Sequence, residues 1–268
     1  MLTADSADRV ATFKVAFMTG SSIFIMGYIN AFSLNTSDLG MMITPQTGNI
    51  IWMGLNAAAG YWGLFLQNLG LFIGFMVGAA FALFTQNLFT SKVSQFYYKW
   101  SVFVIPVMLY PLIMQYVFPS AASFFIIGFS SGAALGFFRK MYHMEINNAM
   151  ATGNVRFLGL HFAGAFIKKN KQEVATFWIF FVCVLSFAAG AFLYAHLAII
   201  DYNLALNGGG YIVGLGEHTG RSFAQSLGLG EYRIDIVSSN IARVIGLFVI
   251  CIIPYFFCPK ATVAVEQK

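Results

Sequence analysis

The sequence predicts an all-α polytopic membrane protein built from two inverted repeats. Each repeat has three full transmembrane helices plus a re-entrant or broken helix that opens on Thr-Gly-Asn. Three observations lead there. The chain is 59% hydrophobic and 9% charged, with a mean hydropathy of +0.74, whereas soluble proteins carry about 25% charged residues. The tripeptide Thr47-Gly48-Asn49 recurs as Thr152-Gly153-Asn154, each copy in front of a short apolar run. Finally, one topology gathers most lysines and arginines on one side of the membrane, and the alternative does not.

The two tripeptides lie 105 positions apart. At that ungapped offset Phe24 meets Phe129, Gly27 meets Gly132, Phe32 meets Phe137, Gly54 meets Gly159, Leu55 meets Leu160 and Ala58 meets Ala163. At an offset of 112, Phe75, Gly78 and Ala79 meet Phe187, Gly190 and Ala191, so the repeat continues after an insertion of seven residues, 112 minus 105. Residues 15–118 form the first repeat and 120–257 the second, within one membrane domain covering 1–268.

Crossing a hydrocarbon core about 30 Å thick takes about 20 apolar residues at about 1.5 Å each. Residues 15–34 meet this need. From Leu39 to Ser91 there is no Asp, Glu, Lys or Arg. This stretch divides into a clear span at 61–88 and a segment at 41–60 that holds Pro45 and the first tripeptide. Trp100 to Phe138 is again free of those charges, and Phe118-Pro119-Ser120 is its natural turn, since proline disfavours helix in the residue before it. The second tripeptide segment, 142–167, ends in the basic turn Lys168-Lys169-Asn170-Lys171. Spans at 174–200 and 236–257 follow, separated by a glycine-rich extracytoplasmic loop at 201–235 that contains Gly208-Gly209-Gly210.

Basic residues collect on the cytoplasmic side of membrane proteins. If 41–60 and 142–167 both cross, there are eight spans in parallel repeats. Arg9, Lys14, Lys168, Lys169, Lys171, Lys260 and Lys268 then face Lys92, Lys99, Arg139, Lys140, Arg221 and Arg233, seven against six. If both segments instead re-enter, six spans remain, and Lys92, Lys99, Arg139 and Lys140 join the first group, eleven against two. The second count favours six spans, with both termini cytoplasmic. Three spans per repeat is an odd number, so the second repeat is inverted and the two tripeptides approach one another near the midplane. Inverted repeats with broken helices at that depth are a plan used by transport proteins.

Thr47 and Thr152 suit helix capping, Gly48 and Gly153 allow close approach of backbone or ligand, and the amides of a helix start attract an anion or polar oxygen. Asn49 and Asn154 add a group that both donates and accepts. The competing reading is a purely structural cap, with Gly54 and Gly159 allowing close helix packing. Arg156 stands one turn into the second short helix, where the first repeat has Ile51. An intramembrane charge usually faces a cavity or a partner, so Arg156 either lines a pathway for an anionic solute, pairs with Glu145 or reaches the surface. Arg243 has the same choice between pathway and interface.

A membrane-embedded enzyme acting on lipid-linked substrates would need converging acid, base or nucleophile groups, and only the scattered His143, Glu145 and His161 are candidates. His161 reads better as a packing residue. Cys183, Cys251 and Cys258 lack paired spacing and read as packed or lipid-facing thiols. The sequence therefore predicts no metal, no cofactor, no nucleic acid partner and no cleaved signal peptide. It predicts a lipid bilayer and a small polar or anionic solute as partners, and a homo-oligomer is compatible with it.

With Gly27-Tyr-Ile-Asn30-Ala31, the run Thr47-Gly48-Asn49-Ile-Ile-Trp-Met-Gly54-Leu55, Phe138-Arg139, and Met150-Ala151-Thr152-Gly153-Asn154, the chain resembles the YoaK-like family of bacterial integral membrane proteins along nearly its whole length. That family is a domain of unknown function, so the resemblance implies a bacterial inner-membrane location and no reaction. The family's first motif reads Gly-x-x-Asp-Ala, and Asn30 here replaces the carboxylate, which puts proton coupling at that position in doubt. The family's second copy carries Gln-Asn after its glycine, where this chain has Ala134 and Leu135. On this reading the protein is a small-solute permease or channel whose site is formed by Thr47, Gly48, Asn49, Thr152, Gly153, Asn154, Asn30 and Arg156; a structural or sensory membrane partner is a further alternative.

Overall fold

The computed structural model describes residues 4–36, 43–86, 88–89, 92–116, 121–141, 144–147, 151–167, 169–207, 212–214, 235–236 and 241–257. They form α1 (Ala4–Thr36), α2 (Gln46–Ala58), α3 (Trp62–Thr85), α4 (Lys92–Tyr116), α5 (Ala121–Phe137), α6 (Ala151–Phe162), α7 (Lys171–Asn207) and α8 (Ile241–Phe257). A π-helical turn, Ala163–Ile167, continues α6. Val15–Leu34 of α1, all of α3 and Lys171–Ile200 of α7 are long and apolar enough to cross a membrane, and α5 and α8 are shorter apolar helices. The chain is a multi-pass helical membrane protein. The 13 residues of α2 rise only about 20 Å and the 12 of α6 about 18 Å before its π turn, short of a hydrocarbon core about 30 Å thick.

Local chemistry sets the ends of α2. Pro45 is its N-cap, without a side-chain capping bond, and proline suits a helix start because its missing amide would have had no helical partner. Thr47 is the second residue of α2, so it does not cap the helix as its residue type predicts. At the other end Gly60 has φ +77°, a conformation that costs glycine little. The Tyr61 amide bonds to the Asn56 carbonyl at 2.8 Å and the Gly60 amide to that of Ala57 at 3.2 Å, a Schellman stop. The chain then reverses directly into α3, against which α2 packs.

Glycine controls how the long helices meet. Gly70, Gly74 and Gly78 of α3 face the backbone carbonyls of Ala121, Phe125 and Phe129 on α5. Gly128 and Gly132 of α5 face those of Leu71 and Phe75 in return. A β-carbon at any of these positions would overlap a carbonyl oxygen, whereas glycine lets the backbones touch and brings Cα–H groups onto carbonyls. The same contact joins α1 to α7, where Gly27 meets the Phe187 carbonyl and Gly190 meets that of Phe24. These are the equivalents, at offsets 105 and 112, of Gly132 on Phe75 and Gly78 on Phe129.

Contacts fix the helix directions. Along α1, Ile23 clusters with Phe180 and Cys183 and Phe32 meets Tyr194, so α1 and α7 run parallel. Tyr110 of α4 also meets Phe32, while Trp100 packs on Phe138. Phe138 is two residues before Lys140, whose carbonyl accepts the Thr19 hydroxyl at 2.7 Å, so α4 runs with α1. In α5, Phe124 meets Tyr110 and the carboxyl end leads to Phe138, so α5 runs the other way, and α3 runs with α5 by its glycine register. Likewise α8 passes from Tyr28, whose hydroxyl donates to the Arg243 carbonyl, down to Cys251, whose carbonyl accepts the Trp100 indole at 3.0 Å. Consequently α1 ends and α3 begins on the same side of the bundle, and α5 ends and α7 begins on the opposite side.

Two parts of the sequence reading change. Before α6 the limb of the predicted segment 142–167 contributes Met144–Glu145 to a small antiparallel pair with Lys140–Met141, which the sequence does not predict. Within the region predicted as a loop, Ile212–Gly214 pairs with Asp235–Ile236. The predicted turn at 118–120 lies outside the described residues.

If glycine contact sets the helix spacing, Gly132→Ala and Gly74→Ala should each cost about 1–3 kcal/mol through overpacking, read as a lower unfolding midpoint in detergent. Gly54→Ala, where nothing lies within 4 Å of the added methyl, should be neutral or slightly stabilising. Equal losses at all three sites would remove the argument.

Candidate functional site

The two tripeptides occupy matching environments. Thr47 and Thr152 are exposed, Gly48 and Gly153 half-buried, and Asn49 and Asn154 both 1% exposed. Each threonine is the second residue of a short helix, so each helix start presents the threonine outward and tucks the asparagine in.

Asparagines tie each short helix to the chain before it. The Asn154 side chain accepts from the Asn147 amide at 3.1 Å and donates to the Asn147 carbonyl at 2.7 Å, pairing with that backbone as a strand neighbour would. In the first copy the brace comes from α1. The Asn30 carboxamide accepts from the Thr44 amide at 3.2 Å, and donates to the Thr44 hydroxyl at 3.0 Å and the Met26 carbonyl at 2.7 Å. Gln46 donates to the Ile43 carbonyl at 3.1 Å, and Asn49 lies 3.5 Å from Gln46 Oε1. Pro45's carbonyl accepts from Gly48 and Asn49, leaving the amides of Gln46 and Thr47 outside the helix's own ladder.

These braces set depth. Thr44 is level with Asn30, whereas Ile146 shares a packed cluster with Ile23. Seven residues of α1 separate those levels, about 10 Å. Thus the structure joins Asn30 to the approach to Thr47-Gly48-Asn49, and the second tripeptide sits deeper toward the opposite face.

Arg156 is exposed one turn after Thr152, among the exposed Val155, Phe157 and Leu160. Glu145, its candidate partner, instead lies 3.9 Å from Arg139. Gly54 and Gly159 have nothing within 4 Å of an added methyl, so the helix packing that the cap reading assigned to them is not made. His161 is held rather than free: Nδ1 lies 2.5 Å from Glu173 Oε2, and the ring stacks on Phe180. Gly164 in the π turn faces that carboxylate, where a β-carbon would come within 2.8 Å of the Glu173 side chain. Glu145 and His161 thus have separate partners, and His143 lies outside the described residues. Cys183 and Cys251 are packed thiols.

One polar constellation was not visible in the sequence. Arg243 is 1% exposed, donates to the Tyr194 hydroxyl at 3.1 Å and stands 5.8 Å from that ring's centroid, a cation–π arrangement. Tyr28 packs edge-on against Tyr194, Phe32 bridges Tyr194 and Tyr110, and Ser33 lies 3.3 Å from the Tyr110 hydroxyl. Arg243 is therefore an interior charge and does not reach the interface. The only clue in the sequence was an arginine inside an apolar segment; its tyrosine partners lie 49 and 215 positions away.

Fold and site together define a polytopic helical membrane protein with two short, asparagine-braced helices packed against its long ones. A family model described as "Protein of unknown function (DUF1275)" matches residues 15–213. The chain belongs to that family, whose domain is the hallmark of the YoaK-like proteins. Neither a curated protein nor a solved structure matches the chain.

Replacing Asn154 by leucine removes both of its bonds to the Asn147 backbone, which should cost about 1–3 kcal/mol. Thr152→Val, on the exposed side, should change the detergent unfolding midpoint little. If both variants melt alike, the brace is not structural.

Proposed function

We propose that this protein is a small-solute permease or channel of the bacterial inner membrane, with a polar or anionic substrate bound between the starts of α2 and α6. The observation that carries this reading is the pairing of two short helices in matching environments, each opening on an outward threonine and a half-buried glycine. The opposite runs of α1 and α3, and of α5 and α7, support six full spans in two inverted repeats. On that topology α2 and α6 re-enter from opposite faces, and the charge count puts both termini in the cytoplasm. Each helix start offers a partial positive charge and the amides of its first turn. Non-helical backbone is tolerated at that depth where it is buried in protein or lines a water-filled cavity. Arg156 sits on the same exposed side as Thr152 and supplies the charge that favours an anion over a cation.

Two measurements test this. A single cysteine at Gly60 should react with a membrane-impermeant maleimide only from outside the cell; reaction from the cytoplasm overturns the re-entrant topology. Untargeted metabolite uptake by a deletion strain identifies the solute, and Arg156→Gln should then lower its uptake about tenfold, an effect of the size one lost charge contact gives, with normal membrane levels of protein. Unchanged flux in Arg156→Gln removes its role, and unchanged flux with both tripeptides altered favours a structural or sensory partner.

A further inference from the structure

The two glycine-joined helix pairs are not equally closed. Between α3 and α5 the contact continues from Gly78 toward the start of α3, with Gly74 on Phe125 and Gly70 on Ala121. The equivalents in the other pair are Ser186 against Gly20 and Val182 against Ala16. Side chains stand on α7 where glycines stand on α3, so α1 and α7 meet at Gly27 and Gly190 and then part. All four of those residues line a cleft of about 680 Å³, closed on its far wall by Ile250, Ile253 and Pro254 of α8. Met141 lines it at the level of Gly20.

The shape of the cleft restricts its occupant. Its residues on α1 run from Ala16 to Ile25, about 14 Å of helix, or half of a hydrocarbon core about 30 Å thick. That is the depth of one leaflet. The volume falls in the range of small-ligand pockets. The lining is apolar apart from the hydroxyls of Ser21 and Ser186. Lys140, next to Met141 and level with Thr19, is exposed on the amino-terminal side of the membrane, opposite Glu145 in the strand pair, and its long stem can carry the ammonium to the headgroup level.

We propose that this cleft holds one acyl chain of an anionic phospholipid, with its headgroup at Lys140. Basic residues at the membrane surface select anionic headgroups, and the parting of α1 from α7 supplies the slot for the chain. The site is separate from the helix starts of α2 and α6 and does not depend on solute transport.

Native mass spectrometry of the delipidated, detergent-purified full chain tests this, with phosphatidylglycerol and phosphatidylcholine of identical acyl chains as probes. One bound phosphatidylglycerol per chain is expected, favoured about tenfold over phosphatidylcholine, with the preference lost in Lys140→Gln. Val182→Gly combined with Ser186→Gly should close the slot as α3 and α5 are closed, and Ser186→Phe should fill it; each should cut bound phosphatidylglycerol about tenfold. Because one variant removes side chains and the other adds bulk, misfolding of either leaves the other to decide. Wild-type binding that ignores the headgroup, or retention unchanged in the folded slot variants, overturns the proposal. So does a dimer that Ser186→Phe dissociates without altering bound lipid.

Discussion

Backbone contact between glycine and a facing carbonyl is the constraint on which the rest of this bundle depends. Lipid tails are as apolar as leucine, so burial of apolar surface does little to draw helices together inside a membrane, and close van der Waals contact must do more. Gly132 on Phe75 and Gly78 on Phe129 hold α5 to α3, and Gly27 on Phe187 and Gly190 on Phe24 hold α1 to α7. Each pair joins a helix from residues 4–116 to one from residues 121–257. The two halves are therefore interlocked, and neither has its main helix partner within itself.

That interlocking creates room for α2 and α6. Because α1 pairs with α7 and α3 with α5, the short helices lie on the outside of those pairs, α2 on α3 and α6 on α7. Their depth is set by asparagine, through Asn30 on Thr44 in one half and Asn154 on Asn147 in the other. Buried carboxamides suit this task, since each offers donor and acceptor together to a backbone segment outside any helix.

Repetition also makes the departures from symmetry informative. Tyr28 and Tyr194, which frame Arg243, stand where the other half has Ala133 and Ala82. Val182 and Ser186 stand where it has Gly70 and Gly74. One pair of helices is zipped along its length; the other carries a buried cation above its crossing and an open cleft below it.

Much of this was legible in the sequence because it is local or periodic. Apolar length marked the long helices, and the recurrence of Thr-Gly-Asn at a fixed offset marked α2 and α6. Local chemistry was less certain, since Thr47 has a capping side chain yet Pro45 takes the cap position and moves it inside the helix. The short pair at 140–145 was missed because two residues per strand leave no periodicity to read. By itself, then, the sequence determined that this is a multi-pass membrane protein of internally repeated pattern with two broken segments. Only the tertiary structure decided which glycines meet which carbonyls, what braces each short helix, and that Arg243 is enclosed by Tyr28 and Tyr194. Those are contacts between residues far apart in the chain, and residue spacing carries no record of which distant segment will fold alongside.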